Sequence, residues 1–197
     1  MITDAMTHHD HTKIHRDQLP PEPENMAQAM KHPLKEGWKD AATLEIGNLN
    51  KLKTFKKVEI PKGKQVIPVK WVFNYKFDSD GNLSKLKARL CVRGDLQIQS
   101  RDDTYAATLA AKVFRACMSL TAIFNLDAQQ YDVVNAFLNS ELDEEIYVRM
   151  PDGFTETGMC WMLLKALYGL RQSPKLWQQE FGSWLRSIGF KSVPENP

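Results

Sequence analysis

Val69-Lys70-Trp71-Val72-Phe73-Asn74-Tyr75-Lys76-Phe77, then Asp78-Ser79-Asp80-Gly81-Asn82, then Lys85-Leu86-Lys87-Ala88-Arg89-Leu90-Cys91-Val92-Arg93, is the stretch that decides the fold. The first run alternates large apolar residues with Lys70, Val72, Asn74 and Lys76, the period of a half-buried strand. The middle five residues carry turn chemistry. The last run alternates again, with Leu86, Ala88, Leu90 and Val92 on one side and Lys85, Lys87, Arg89, Cys91 and Arg93 on the other. An antiparallel hairpin over residues 66–93, turning near Asp80-Gly81, is therefore expected, with one apolar and one basic face.

Upstream, Leu34, Trp38, Ala42, Ile46, Leu49 and Leu52 recur at three- and four-residue steps and predict an amphipathic helix, with Gly47 a weak point inside it. Residues 1–25 hold three prolines, scattered histidines and almost no periodicity, which reads as a disordered polar leader. His8, His9, His11 and His15 lack apolar surroundings to fix a metal geometry, so a solvated tail is favoured over a metal site. Downstream, residues 106–126 read as a helix with Leu109, Val113, Cys117 (or Ala116), Leu120 and Phe124 on one stripe. Tyr131-Asp132-Val133-Val134 reads as a short buried strand, and Ile146-Tyr147-Val148 as another. Residues 161–167 fit strand or helix, and Pro174 to Ile188 is helical, with Trp177, Phe181, Trp184 (or Leu185) and Ile188 aligned. The fold class is α/β, of the α+β kind.

Within 197 residues, 43% are hydrophobic and 25% charged, the balance of a globular domain. No apolar run reaches the ~20 residues of a membrane span, and no signal peptide is present, so an intracellular location, cytoplasmic or nuclear, is expected. Cys91, Cys117 and Cys160 lie far apart, which disfavours a disulfide scaffold or structural zinc. The net charge of +2 hides an asymmetry. Residues 51–101 carry thirteen Lys or Arg against four acids, and residues 127–156 carry eight acids against one base. Such halves suit a site that holds polyanions on one side and cations on the other, or two solvated surfaces whose charges offset.

Four constellations could carry chemistry. Asp132 sits inside an apolar run, where a carboxylate is costly unless it is paired, holds a cation, or caps a helix begun by Ala136-Phe137-Leu138. Phe137 could lie beneath the sugar of a nucleotide or fill the core. The basic hairpin face could carry a phosphate backbone, or be an edge protected by lysines. Tyr168-Gly169-Leu170-Arg171-Gln172-Ser173-Pro174 could bring a helix N-terminus to a template strand, or be a plain loop-to-helix junction.

Together these segments resemble the reverse transcriptase of copia-type LTR retrotransposons. The matching stretches are Lys70-Trp71-Val72-Phe73, Lys87-Ala88-Arg89-Leu90 with Arg93-Gly94-Asp95, and Asp103-Thr104-Tyr105-Ala106-Ala107-Thr108. They continue with Asp132-Val133-Val134-Asn135-Ala136-Phe137-Leu138-Asn139, Asp143-Glu144-Glu145-Ile146-Tyr147-Val148, Pro151-Asp152-Gly153-Phe154 and Leu164 to Trp177, all in family order.

The resemblance implies a partial fingers-and-palm polymerase fold. Residues 1–31 would be the leader, 32–105 a lead-in helix and fingers hairpin, and 106–197 a partial palm. Asp132 would be the catalytic, metal-binding carboxylate, and Val133 would add its backbone carbonyl. Phe137, Lys87, Arg89, Tyr168 and Gly169 would meet the nucleotide, while Lys70, Lys76, Lys85, Arg93 and Arg171 would meet nucleic acid. The implied cofactor is Mg2+, and the implied partners are an RNA or DNA template-primer and deoxynucleotides, with no membrane. The family's Asp-Asp hairpin, the rest of the palm, the thumb and the ribonuclease H region are not matched. The adjacent pair Asp102-Asp103 matches a different segment. A truncated fragment, inactive alone, is the expectation, with a non-enzymatic nucleic-acid-binding remnant using the basic hairpin as the alternative.

Overall fold

The computed structural model describes residues 14–98, 104, 106 and 109–191. It is a mixed α/β structure in which a short helix α1 (Met26–Ala29) leads into a long helix α2 (Lys35–Lys51). The predicted stripe holds: Trp38, Ala42, Ile46 and Leu49 are buried, and the helix runs unbroken through exposed Gly47. Strands β1 (Phe55–Glu59) and β2 (Val66–Ile67) follow, then the hairpin strands β3 (Val69–Phe77) and β4 (Leu83–Val92).

The hairpin pairs antiparallel from Val69–Val92 to Phe77–Leu83, with an irregularity between Lys76 and Phe77. Residues 66–67, expected within it, belong elsewhere: β2 pairs parallel with β5 (Glu141–Val148). Pro68 separates β2 from β3, and a proline has no N–H to give a ladder. Trp71, Phe73 and Tyr75 from β3 and Leu86, Ala88, Leu90 and Val92 from β4 are buried. Trp38 packs edge-on against Phe73 and tilted against Tyr75, each at 5.3 Å between ring centroids. Gly37 lets α2 come this close, because a Cβ there would lie 2.5 Å from Leu86 Cδ1.

A four-stranded sheet, ordered β1-β6-β5-β2, forms the second layer; β6 spans Met159–Lys165 and resolves the ambiguous stretch as strand. Phe55 stacks on Trp161 at 3.7 Å between centroids, and Trp71 Nε1–H donates to the Asp152 carbonyl at 3.1 Å. Helix α3 (Ala111–Ile123) precedes β5, and helix α4 (Ser173–Ser187) follows β6. No described helix is long and apolar enough to cross a membrane.

Three expectations need correction. Residues 14–31 are not a disordered leader. Met26 and Ala29 are buried, the N–H of Tyr75 donates to Glu22 Oε1 at 2.6 Å, and the N–H of Leu83 donates to the Ile14 carbonyl at 2.8 Å. The segment satisfies backbone groups on β3 and at the start of β4, which low hydrophobicity does not reveal. Residues 1–13 lie outside the described residues. Secondly, Tyr131-Asp132-Val133-Val134 is not a buried strand: Tyr131 is 81% and Val134 79% exposed. A strand needs a hydrogen-bonded neighbour, and none of the six strands pairs with this stretch. Left-handed Asn135 then turns the chain into a 3-10 turn, Ala136–Asn139. Thirdly, α3 is shorter than expected, and its apolar stripe is exposed along its whole length.

Candidate functional site

The basic face follows from the register. Lys70 pairs with Cys91, Val72 with Arg89, Asn74 with Lys87, and Lys76 with Lys85, and residues directly opposite point to the same side of the ribbon. Lys70, Lys76, Lys85, Lys87 and Arg89 therefore share one face. Two lysines, 76 and 85, stand directly opposite each other, an arrangement that destabilises a sheet. Among the described residues none of the five forms an ion pair. Burial, with Arg89, Lys76 and Lys85 nearby, lowers the pKa of Lys87. A face that gathers five cations is a concentrated source of positive potential.

At the Arg89 end, three residues from distant parts of the chain meet. The Arg89 guanidinium lies over the Tyr168 ring, 5.7 Å from its centroid, and Phe137 meets the same ring edge-on at 5.1 Å. Burial pushes the Tyr168 hydroxyl up in pKa; Arg89 acts against this, and Glu45, Cys91 and Asp132 act with it. Asp132 is thus an exposed carboxylate within electrostatic reach of the cluster.

Tyr168 is held by a backbone lock. The N–H of Val92 donates to the Tyr168 carbonyl at 2.7 Å, and Gly169 takes φ +92°. A Cβ on Gly169 would lie 2.1 Å from the Val92 carbonyl oxygen, and one on Gly94 would lie 2.0 Å from the Gly169 oxygen. Arg171 Nε–H donates to the Gly94 carbonyl at 2.7 Å, so this guanidinium clamps the loop to the end of β4. Arg93 is held by Asp95 at 2.7 Å, which raises the Arg93 pKa and lowers that of Asp95. The geometry gathers Lys70, Lys76, Lys85, Lys87, Arg89, Phe137, Tyr168 and Gly169. It ties Arg93 and Arg171 to the neighbouring loop and leaves Asp132 and Val133 exposed at the margin.

The reverse transcriptase (RNA-dependent DNA polymerase) family matches residues 52–196. This chain belongs to that family. It is 38% identical over 89% of its length to the retrovirus-related Pol polyprotein from transposon TNT 1-94 of Nicotiana tabacum. It is 32% identical over 86% of its length to the Pol polyprotein from transposon RE2 of Arabidopsis thaliana, and 30% identical over 81% to the transposon Ty1-LR2 Gag-Pol polyprotein of Saccharomyces cerevisiae. The chain spans 14%, 12% and 9% of these relatives' own lengths. No solved structure matches.

Reverse transcriptases use divalent metals, and Asp132 with the Val133 carbonyl offers hard oxygen donors of the kind Mg2+ prefers. Among the described residues no group of three or more His, Cys, Asp or Glu is gathered around them. A magnesium ion bound through one carboxylate keeps most of its water.

Sequence reading missed Glu45. The carboxylate accepts the N–H of Leu90 at 3.3 Å on the open edge of β4, as Glu22 does for β3. Burial raises the Glu45 pKa, and the Leu90 N–H, Lys87 and Arg89 act the other way. A signal was present: Glu45 falls between Ala42 and Leu49 at helical spacing, an acid on the apolar stripe.

Proposed function

We propose that residues 32–105 and 106–197 form the fingers part and part of the palm of a copia-type reverse transcriptase. In this reading the basic ribbon face carries the phosphates of template-primer and deoxynucleotide. One observation carries it: the Arg89 guanidinium over Tyr168, beside Phe137, at the end of a face of unpaired lysines. Cations on a strand face bind phosphates without reading sequence. The Tyr168 and Phe137 rings offer a surface against which a sugar or base packs. Gly169 allows backbone approach that no side chain would permit, and Arg171 holds that loop to Gly94 and Asp95.

Asp132 and the Val133 carbonyl would hold magnesium, whose chemistry is to neutralise phosphate charge and stabilise the attacking and leaving oxygens. Two-metal catalysis needs ions about 3.5–4 Å apart, anchored by several carboxylates. Asp132 is the one carboxylate matched to that role, so this 197-residue chain alone is expected not to extend a primer in magnesium or manganese. Extension that vanishes in Asp132→Asn would contradict this.

Binding is tested with a fluorescently labelled oligonucleotide. Wild type should bind weakly, without sequence preference, and lose affinity as salt rises. The Lys85→Glu/Lys87→Glu/Arg89→Glu variant should not bind. Binding that survives both the reversal and high salt would overturn the reading and favour another surface.

A further inference from the structure

We infer that Glu45 is the built-in counter-charge of the phosphate-facing strand, an electrostatic brake that its own carboxylate applies to polyanion binding at Lys87 and Arg89. The inference rests on the proposed contact of that strand with phosphates and adds a regulator to it.

Geometry makes Glu45 a fixed member of the site. It projects from α2 between buried Ala42 and Leu49, and its Oε1 accepts the N–H of Leu90, one residue beyond Arg89. A hydrogen bond to strand backbone cannot drift as a surface carboxylate would, so the negative charge stays beside the edge of β4. The charged and titratable groups around it are Lys87, Arg89 and Cys91 from β4, and Tyr168 from the loop after β6. No ion pair joins Glu45 to Lys87 or Arg89 among the described residues, so the carboxylate lowers the local potential while leaving both cations free to meet a ligand.

Two consequences follow. A phosphate approaching Lys87 and Arg89 is repelled by a partly desolvated carboxylate, where screening is weaker than at an open surface. Burial also raises the Glu45 pKa, so acidification neutralises this carboxylate before an ordinary one. The brake is on at neutral pH and released as pH falls.

The test uses the full chain, a labelled oligothymidylate, and fluorescence anisotropy at constant salt. Its phosphodiesters keep their charge throughout. Glu45→Gln keeps an oxygen for the Leu90 N–H and removes the charge, while Glu45→Asp keeps the charge. Glu45→Gln should bind about threefold tighter than wild type at about pH 8, the size expected for one nearby charge at high effective dielectric. The ratio should shrink as pH is lowered from about 8 toward about 5, below which ordinary carboxylates also lose charge. Glu45→Asp should follow wild type. Equal affinity of Glu45→Gln and wild type near pH 8, or a ratio that does not change with pH, overturns the role of Glu45. Binding that a Lys87→Glu/Arg89→Glu variant leaves unchanged overturns instead the underlying reading of the strand.

Discussion

Gly94 and Gly169 lie backbone to backbone, and the Tyr168 position depends on that contact. An alanine at Gly169 would put a methyl 2.1 Å from the Val92 carbonyl oxygen at φ +92°, a conformation that L residues rarely adopt. Neither atom can move without breaking the Val92–Tyr168 hydrogen bond of 2.7 Å. Gly169→Ala should therefore destabilise the chain by more than about 2 kcal/mol, seen as a lowered denaturant midpoint. Gly47 provides the opposite case. It lies exposed within α2 with nothing within 4 Å of a built Cβ, so Gly47→Ala should stabilise by about 0.5–1 kcal/mol. If both variants shift the midpoint in the same direction, the lock at Gly169 is not as described.

Among the elements, α2 and β3 meet through His32. Its Nδ1 accepts from the N–H of Leu34 at 3.0 Å and from Trp38 Nε1–H at 3.2 Å, so the proton sits on Nε2. Nε2–H then donates to the Tyr75 hydroxyl at 3.0 Å, and that hydroxyl donates to the Pro20 carbonyl at 3.0 Å. Burial lowers the His32 pKa, with the Pro21 carbonyl acting weakly the other way. A second proton would face two donors at Nδ1. A group with a lower pKa when folded binds fewer protons in the native state, so its stabilisation is complete above the unfolded value of about 6.5. It is lost as pH falls through the folded value. The stability difference between wild type and His32→Gln should shrink as pH is lowered from about 7.5 to about 5. A difference that grows on acidification would contradict the network.

Burial was legible in the sequence where apolar residues meet a partner in the chain. The α2 stripe and the β3–β4 alternation were read correctly because each packs on the other through Trp38, Phe73 and Tyr75. The same periodicity over α3 gave a helix, whose stripe is exposed, and the run at 131–134 gave a strand where there is none. Periodicity reports which side of a segment is apolar, not whether anything lies against it. Segment 14–31 was missed for the converse reason: Glu22 and backbone groups tie it to the hairpin, and its few buried apolar residues, Met26 and Ala29, form no long periodic stripe.

At the scale of the whole molecule, several hydrogen bonds join the hairpin to the four-stranded sheet, two sets of them at Trp71 and at the 168–172 loop. Trp71 reaches the Asp152 carbonyl, and the 168–172 loop closes on residues 92–97. In that second seam Gln97 Nε2–H donates to Gln172 Oε1 at 3.1 Å, and Gln172 Nε2–H donates to Glu144 at 2.6 Å. The seam brings Tyr168 and Phe137 from the second half of the chain to Arg89 in the first. The basic strand was visible in the sequence as an alternation of cations. Its convergence with two aromatics was visible only through family resemblance, since 78 residues of chain separate Arg89 from Tyr168.

The account's central claim is that polyanions are received on this ribbon face and at the Arg89 end of it. The most direct measurement is a set of amide NMR spectra of the isotope-labelled chain, titrated with a short single-stranded oligonucleotide at low salt. The account predicts that shifts concentrate at Lys70, Lys76, Lys85, Lys87 and Arg89, extend to Phe137, Tyr168 and Gly169, and revert as salt is added. Shifts confined to the exposed faces of α3 and α4, with the ribbon unchanged, would contradict it.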